Sequence, residues 1–254
     1  MERNLLLKIG YCGTNYCGWQ TQDGFPTVQQ TVEEALAELT RVKKVTVYGC
    51  SRTDSGVHAR QFVLNFRTDC PIPCDRLPIA LTALLPEDIA CFYAQPVRED
   101  FHARYDCAGK EYAYYIRNTM MRDPLWYKRA YHYPYPLDIE RMQQAAAQLG
   151  GKRDYAAFAA AGSQVKSTVR TIHHIKVEQQ GELLVIRVAG DGFLYNMVRI
   201  IVGTLLLIGR GSLTVQEVLD ALEKGDRTRV GPTVPPWGLY LNEVYYRPEE
   251  QIGG

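Results

Sequence analysis

The chain has 254 residues, 46% of them hydrophobic and 22% charged, the balance of a soluble globular protein with length for one large core or two smaller ones. No low-complexity tract interrupts it, and the longest charge-free apolar helix candidate, residues 200–209, is too short to cross a bilayer. The formal net charge of +1 neither favours nor excludes nucleic acid as a partner, because a balanced chain can still be polarised.

The first residues, Met1-Glu2-Arg3-Asn4-Leu5-Leu6-Leu7-Lys8, hold no apolar run of signal-peptide length, so the expected location is the cytoplasm. A strand is expected over 4–11. Behind it lies a Gly-rich turn, Tyr11-Cys12-Gly13-Thr14-Asn15-Tyr16-Cys17-Gly18-Trp19-Gln20. No helix opens directly after it, which sets it apart from a dinucleotide fingerprint; it reads as a shaped loop packed against a cleft. Thr27 then starts a helix, with Gln30 placed to complete a capping box and Val28, Val32, Ala35, Leu36 and Leu39 at helical spacing. Two strand-like runs follow, 45–48 and 61–66, the second alternating Phe62, Leu64 and Phe66 with Gln61, Asn65 and Arg67. A helix near 75–84 and a strand over 89–95 complete a β-α-β-β-α-β order, the split βαβ pattern.

The connection between those two runs is Tyr48-Gly49-Cys50-Ser51-Arg52-Thr53-Asp54-Ser55-Gly56-Val57-His58-Ala59-Arg60. A hairpin usually needs only about two to five residues, and this link is longer and rich in residues that tolerate unusual backbone angles. Arg52 and Asp54, two positions apart, share a face of an extended backbone. The plain alternative is a solvated turn whose Asp caps its own backbone. Excess length, flanking glycines and the Arg-x-Asp spacing point instead to a functional loop.

The second half repeats the order. A strand over 110–117 is followed by a helix over 137–149, opened by Asp138 and closed by Gly150-Gly151. Strands over 169–178 and 183–189 pair about Gln180-Gly181, a helix spans 193–208, another 214–222, and a strand over 239–246 closes the chain. The halves share no obvious sequence identity, so the repeat is architectural. The expected fold is α+β: two ferredoxin-like (split βαβ) halves, 1–106 and 107–254, side by side with mainly antiparallel sheets, helices on one face, and the active-site cleft between them.

Between Phe101 and Tyr135 lie six Lys/Arg, three acids and ten aromatics, while from Val215 onward seven acids face four bases. A basic, Tyr-rich middle suits phosphates and unstacked bases, although most of those rings are expected to face a sheet core. The seven cysteines form no framework, and Cys70-Pro71-Ile72-Pro73-Cys74 has no Cys/His partner pair at a zinc-site distance. Reduced, mostly buried thiols and no metal are expected.

Two further stretches belong with the central loop. Phe101-His102-Ala103-Arg104, continuing to Lys110-Glu111-Tyr112-Ala113-Tyr114, sits where one half hands over to the other. On a strand Tyr112 and Tyr114 face one way and Glu111 and Ala113 the other. An aromatic at the mouth of a cleft can stack on a base, and its phenol can serve as an acid or base. Arg199 is the only charge between 193 and 208. Removing one partner of a buried ion pair costs about 3–5 kcal/mol, so Arg199 calls for an acid, and Asp54 is the acid in an otherwise unexplained loop. The alternative is that Arg199 snorkels to the surface or meets a backbone carbonyl.

Gly49-x-Ser51-Arg52-Thr53-Asp54-x-Gly56-Val57-His58-Ala59 resembles the signature of the tRNA pseudouridine synthase A family. Gly13-Thr14 with Gly18-Trp19-Gln20, Phe101-His102-Ala103-Arg104, Lys110-x-Tyr112-x-Tyr114, Met197-Val198-Arg199-x-Ile201-Val202-Gly203 and Gly238-Leu239-Tyr240-Leu241 match that family in order. Cys12 departs from the family's usual Asp, and Ser51 stands where Gly is common. The resemblance implies an isomerase that detaches uracil from ribose, turns it and rejoins it through carbon 5, with no cofactor or metal. Asp54 would be the nucleophile, Arg199 its orienting cation, and Arg52 the side chain that fills the stack as the uridine flips out. Tyr112 would stack on the extruded uracil, with His58, Arg104 and Lys110 as further substrate-binding candidates. The implied substrate is tRNA at uridines 38–40 of the anticodon stem-loop, and the implied assembly is a homodimer. A non-catalytic RNA-binding protein on the same scaffold is the first alternative, yet Asp54, Arg52, Tyr112 and Arg199 are all present. A two-carboxylate hydrolase ranks lower, since no second acid sits in the matched motifs.

Overall fold

A computed structural model describes residues 2–162 and 165–247 and divides the chain into two compact units, Met1–Ala108 with Tyr240–Gly254, and Gly109–Leu239. The first unit begins with β1 (Arg3–Tyr11), α1 (Val28–Thr40), β2 (Tyr48–Gly49), β3 (His58–Thr68), α2 (Leu77–Thr82) and β4 (Ile89–Val97). Its sheet places β1 between β4 and β3, both antiparallel to it, with β2 antiparallel on β3. That is the split βαβ order, and it makes the fold α+β.

Helix α1 starts where expected, the Thr27 side chain accepting from the Gln30 backbone N–H. The Gln30 side chain, however, donates to Glu34 one turn on instead of returning to Thr27. A neutral amide gains more from a carboxylate than from one more backbone contact. Val28, Val32, Ala35 and Leu36 are buried, while Leu39 is only half-buried. Burial of a single side chain such as Leu36 is worth about 1.5–3 kcal/mol.

The run 45–48 is mostly not a strand: Val45 and Val47 are buried, but only Tyr48 and Gly49 pair with β3. A second departure is Asn65, which alternation assigns to the polar face and which is 2% exposed. Its amide donates to Asn4 Oδ1 (3.0 Å) and to the Phe101 carbonyl (3.2 Å), and its Oδ1 accepts from Ala103 N–H (2.8 Å). Asn4, also buried, donates to the Phe101 carbonyl at 3.0 Å. Two buried amides therefore bind the 101–103 segment to β1 and β3.

The second unit begins within β5 (Cys107–Arg117) and continues through β6 (Tyr131–His132), α3 (Ile139–Leu149), β7 (Gly151–Asp154), β8 (Val169–Gln180), β9 (Leu183–Gly190), α4 (Met197–Gly209) and α5 (Val215–Lys224). Its sheet runs β5-β9-β8-β7, all antiparallel, with the short β6 parallel to the end of β5. The edge strand β7 carries no alternation visible in the sequence. Asp138 caps α3 and Gly181, at φ +61, turns the β8–β9 hairpin, as expected. Helix α3 packs on β8 and α4. The helix expected from 193 begins only at Met197, because Asn196 is left-handed at φ 59.

The last strand, β10 (Leu239–Tyr246), pairs in parallel with β3 through Tyr240 opposite His58 and Leu241 opposite Ala59. The sequence reading gives this strand to the second half; compactness groups it from Tyr240 onward with the first unit. Beside β3 there is room for it: β2 covers only Asn65 and Leu64, leaving the His58 end of that edge open. No helix among the described residues is long and apolar enough to cross a membrane.

Asn65→Leu keeps the size of the side chain but strips Ala103 N–H of the Asn65 acceptor. The expected loss, read from urea unfolding, is about 2–4 kcal/mol, because a buried group left unsatisfied costs about 1–3 kcal/mol and the Asn4 amide loses a partner too.

Candidate active site

The loop between β2 and β3, residues 50–57, is shaped by what its neighbours leave open. Cys50 N–H donates to the Val63 carbonyl (2.8 Å) and carries the ladder one residue past Gly49. Trp19 stacks on Phe62 with centroids 4.0 Å apart and lies across Gly49, where a Cβ would come within 2.7 Å of the indole. Thr53 points inward, 7% exposed, its hydroxyl 2.8 Å from the Tyr11 phenol and its carbonyl accepting from Trp19 N–H at 3.1 Å. On either side of it Arg52 is exposed and Asp54 half-buried. The Asp54 carbonyl accepts from Val57 N–H (3.1 Å) across a turn in which Gly56 takes φ +77.

The Gly-rich stretch 12–19 is the support on which that loop rests. A Cβ on Gly13 would stand 1.9 Å from the Val57 carbonyl oxygen, and one on Gly18, at φ +89, 2.6 Å from the Thr53 oxygen. Only glycine permits both approaches. The Tyr16 carbonyl accepts from Gly56 N–H and from the Ser55 hydroxyl, each at 3.3 Å. The Tyr16 phenol donates to Asp88 at 2.7 Å; burial first, and that carboxylate second, raise its pKa well above the ordinary tyrosine value, so it stays a donor.

His58, expected among the substrate-binding residues, is 1% exposed. Its Nδ1 accepts from Gly13 N–H at 3.0 Å, and its ring stacks on Tyr240 at 4.5 Å. An acceptor Nδ1 leaves the ring proton on Nε2. These contacts make His58 a tie between the Gly-rich stretch, the loop and β10.

In the Phe101-His102-Ala103-Arg104 motif, Phe101 and Ala103 are buried and Arg104 is exposed. Tyr246 donates to the Ala103 carbonyl at 2.6 Å, and His102 N–H donates to Asp106, itself paired with Arg98 at 2.9 Å. A rigid backbone thus presents one exposed cation.

In the second unit, Tyr112 on β5 is 8% exposed and meets Phe193 edge-on at 5.2 Å, while Lys110 is half-buried. Tyr114 is fully buried and donates to the Pro235 carbonyl at 2.7 Å, passing over Gly238, where a Cβ would lie 2.6 Å from its ring. On the opposite face of β5, the buried Glu111 binds Arg187 (3.3 Å) and His174 (3.0 Å), two partners for which the sequence offers no signal.

Arg199 is half-buried on α4, a helix with eleven of thirteen residues buried. Its Nε donates to the Val234 carbonyl (2.7 Å) and its Nη1 to Asn196 Oδ1 (2.5 Å). The backbone-carbonyl partner weighed as an alternative is therefore present. Val234 is brought there by Gly203, one turn on, where a Cβ would stand 2.0 Å from the Pro232 oxygen. Asn196 spends its oxygen on the guanidinium and leaves its own helix without a side-chain cap.

The matched motifs thus fall into two sets, each fixed within its own unit: Arg52, Asp54, His58 and Arg104 in the first, Lys110, Tyr112 and Arg199 in the second. A family model described as tRNA pseudouridine synthase matches residues 9–106 and 145–247. A protein named tRNA pseudouridine synthase A from Acetivibrio thermocellus is 48% identical, and one of the same name from Thermoanaerobacter sp. strain X514 is 44% identical. One named tRNA pseudouridine synthase A 2 from Clostridium perfringens is 46% identical. Each alignment covers 96% of this chain and all of the relative.

Gly18→Ala is expected to destabilise the protein by at least about 2 kcal/mol more than Gly24→Ala in urea unfolding. Both positions have positive φ, at a cost of about 1–2 kcal/mol for a side chain, but a Cβ on Gly24 meets nothing within 4 Å. The difference isolates the approach to Thr53; equal losses would mean the stretch does not bear on the loop.

Proposed function

Since the chain belongs to the tRNA pseudouridine synthase family and converts uridine in tRNA to pseudouridine, we propose that Asp54 is the nucleophile and that the target uridines are 38–40 of the anticodon stem-loop. The reaction breaks the bond from ribose C1′ to N1, turns the uracil and joins C1′ to C5; the bond that Asp54 makes to the substrate breaks again, C5 gives up its proton and N1 takes one up. It is a net isomerisation, so electrons balance without an oxidant or reductant. A carboxylate is the reactive form of an aspartate nucleophile, and an ordinary aspartate is ionised at neutral pH.

The observation that carries this reading is how thoroughly the Asp54 loop is held. Thr53 is bonded through both its hydroxyl and its carbonyl, and Gly56 through its N–H. A nucleophile must meet its target carbon within a few tenths of an ångström, and a loop fixed on both flanks delivers that.

The other residues take roles that their surroundings support. Exposed Arg52, next but one to Asp54, fills the stack when the uridine swings out. Tyr112, its tilt set by Phe193, stacks on the uracil and handles the C5 proton. Arg199, steadied by Val234 and Asn196, orients the Asp54 carboxylate. Arg104 and Lys110 meet phosphates. His58 acts through the loop it ties down and not by touching RNA. The protein works as a cytoplasmic homodimer, and sedimentation of the RNA-free protein at a single-chain mass would remove that assembly.

Asp54→Asn preserves shape and removes the nucleophile. The expected protein folds, binds tRNA and has lost turnover by at least about a thousandfold. Pseudouridine mapping of incubated tRNA reads the outcome, and appreciable turnover would end the assignment. Arg199→Leu is expected to lower both the melting temperature and the rate, because it strips the Val234 carbonyl and Asn196 of a charged donor. Unchanged melting and unchanged rate would remove Arg199 from the site.

A further inference from the structure

The connection from β5 to α3 covers residues 118–138, a length that in a compact unit usually carries function. It is well tied. Asn118 donates to the carbonyls of Tyr133 and Tyr135 (2.8 and 2.9 Å), and Asp123 caps the turn Pro124–Trp126 through Leu125 N–H (2.9 Å). With the end of β5 and Trp237 it borders an open cavity of about 710 Å³, all of whose lining residues belong to the second unit. Pockets for single small ligands run from about 300 to 1,000 Å³.

The lining combines cations and rings. Arg117, Arg122 and Lys128 face one carboxylate, Asp123, which already receives Leu125 N–H and Arg117. Arg117 is further paired with Glu182 at 2.7 Å, yet its buried Nε–H has no partner among the described residues. Trp126, Tyr131 and Trp237 are half-buried, keeping ring surface open. Lys128 adopts φ 52, a strained backbone for a residue with a side chain and one that concentrates at binding sites.

We propose that this cavity binds one nucleotide of the tRNA substrate, apart from the modified uridine, with its base on Trp126 and Trp237 and its phosphate at Arg122 and Lys128. Aromatic faces and guanidinium or ammonium groups together recognise an unstacked nucleotide whatever its sequence. The proposal rests on tRNA being the substrate. Arg117 lies five residues along β5 from Tyr112, roughly 17 Å at about 3.4 Å per residue, so a base on Tyr112 and one in the cavity are different nucleotides. The rim also exposes Met120, Met121 and Leu125, which suits a polypeptide. The cations Arg122 and Lys128 beside open ring faces favour RNA.

The test uses the full chain. Of its three tryptophans two line the cavity, and the third, Trp19, is 3% exposed, so tRNA-induced quenching of tryptophan emission reports on the cavity. Quenching is expected in the unmodified protein. Trp126→Ala should weaken tRNA binding about tenfold, the scale of one base stack. Arg122→Ala combined with Lys128→Ala should reduce the slope of log Kd against log salt by about two; Arg122 is exposed, so its replacement leaves the fold intact. Unchanged affinity and slope in these variants would overturn the proposal. So would a Trp126→Ala protein whose RNA-free sedimenting mass changes while its tRNA affinity does not, which would mark a protein interface. Pseudouridine formation without quenching would overturn the cavity alone; quenching without pseudouridine formation would support the cavity and overturn the chemistry assigned to Asp54.

Discussion

The backbone of residues 13–18 lies directly on the backbone of residues 53–57, and the placement of Asp54 depends on that approach. Two glycines allow it, since a methyl group at either would meet a carbonyl oxygen at 1.9 or 2.6 Å. Once the backbones touch, the bonds from Trp19, Tyr16 and His58 close over the loop, and Thr53 is drawn inward between them. Asp54 is then set beside an immobilised residue, half-buried, with Arg52 exposed two positions away.

The second unit reaches the same end by the same means. Gly203 lets the 231–234 segment settle on α4, which brings the Val234 carbonyl to Arg199. Gly238 lets Tyr114 reach the Pro235 carbonyl. In both units the glycines of the family motifs lie against the chain's own backbone or rings. They set how closely one backbone can approach another, and so where a charged or aromatic side chain is presented. Tuning a site through such contacts is costly to alter, because packed backbones shift together or not at all.

Much of the fold was legible because its signals are local. The Thr27 and Asp138 caps, the Gly181 turn and the apolar period of α1 each depend on a few adjacent residues. The departures come from partners far away in sequence. Asn65 is buried because Asn4 and the 101–103 segment take up its hydrogen bonds. Helix α4 starts late because Asn196 is recruited by Arg199. β10 reaches β3 because β2 leaves part of that edge open.

The candidate site divides the same way. The motifs that carry Arg52, Asp54, Tyr112 and Arg199 identify the family and its reaction from the chain alone, because each is a short run of adjacent residues that can be read without the fold. That His58 is a buried tie, that Glu111 is held by Arg187 and His174, and that the 118–138 connection borders a cationic, aromatic cavity are decided only by the tertiary structure. Residue type tells what a side chain can do. Whether it meets a substrate or another part of its own chain depends on long-range pairing, which leaves no periodic trace in the sequence.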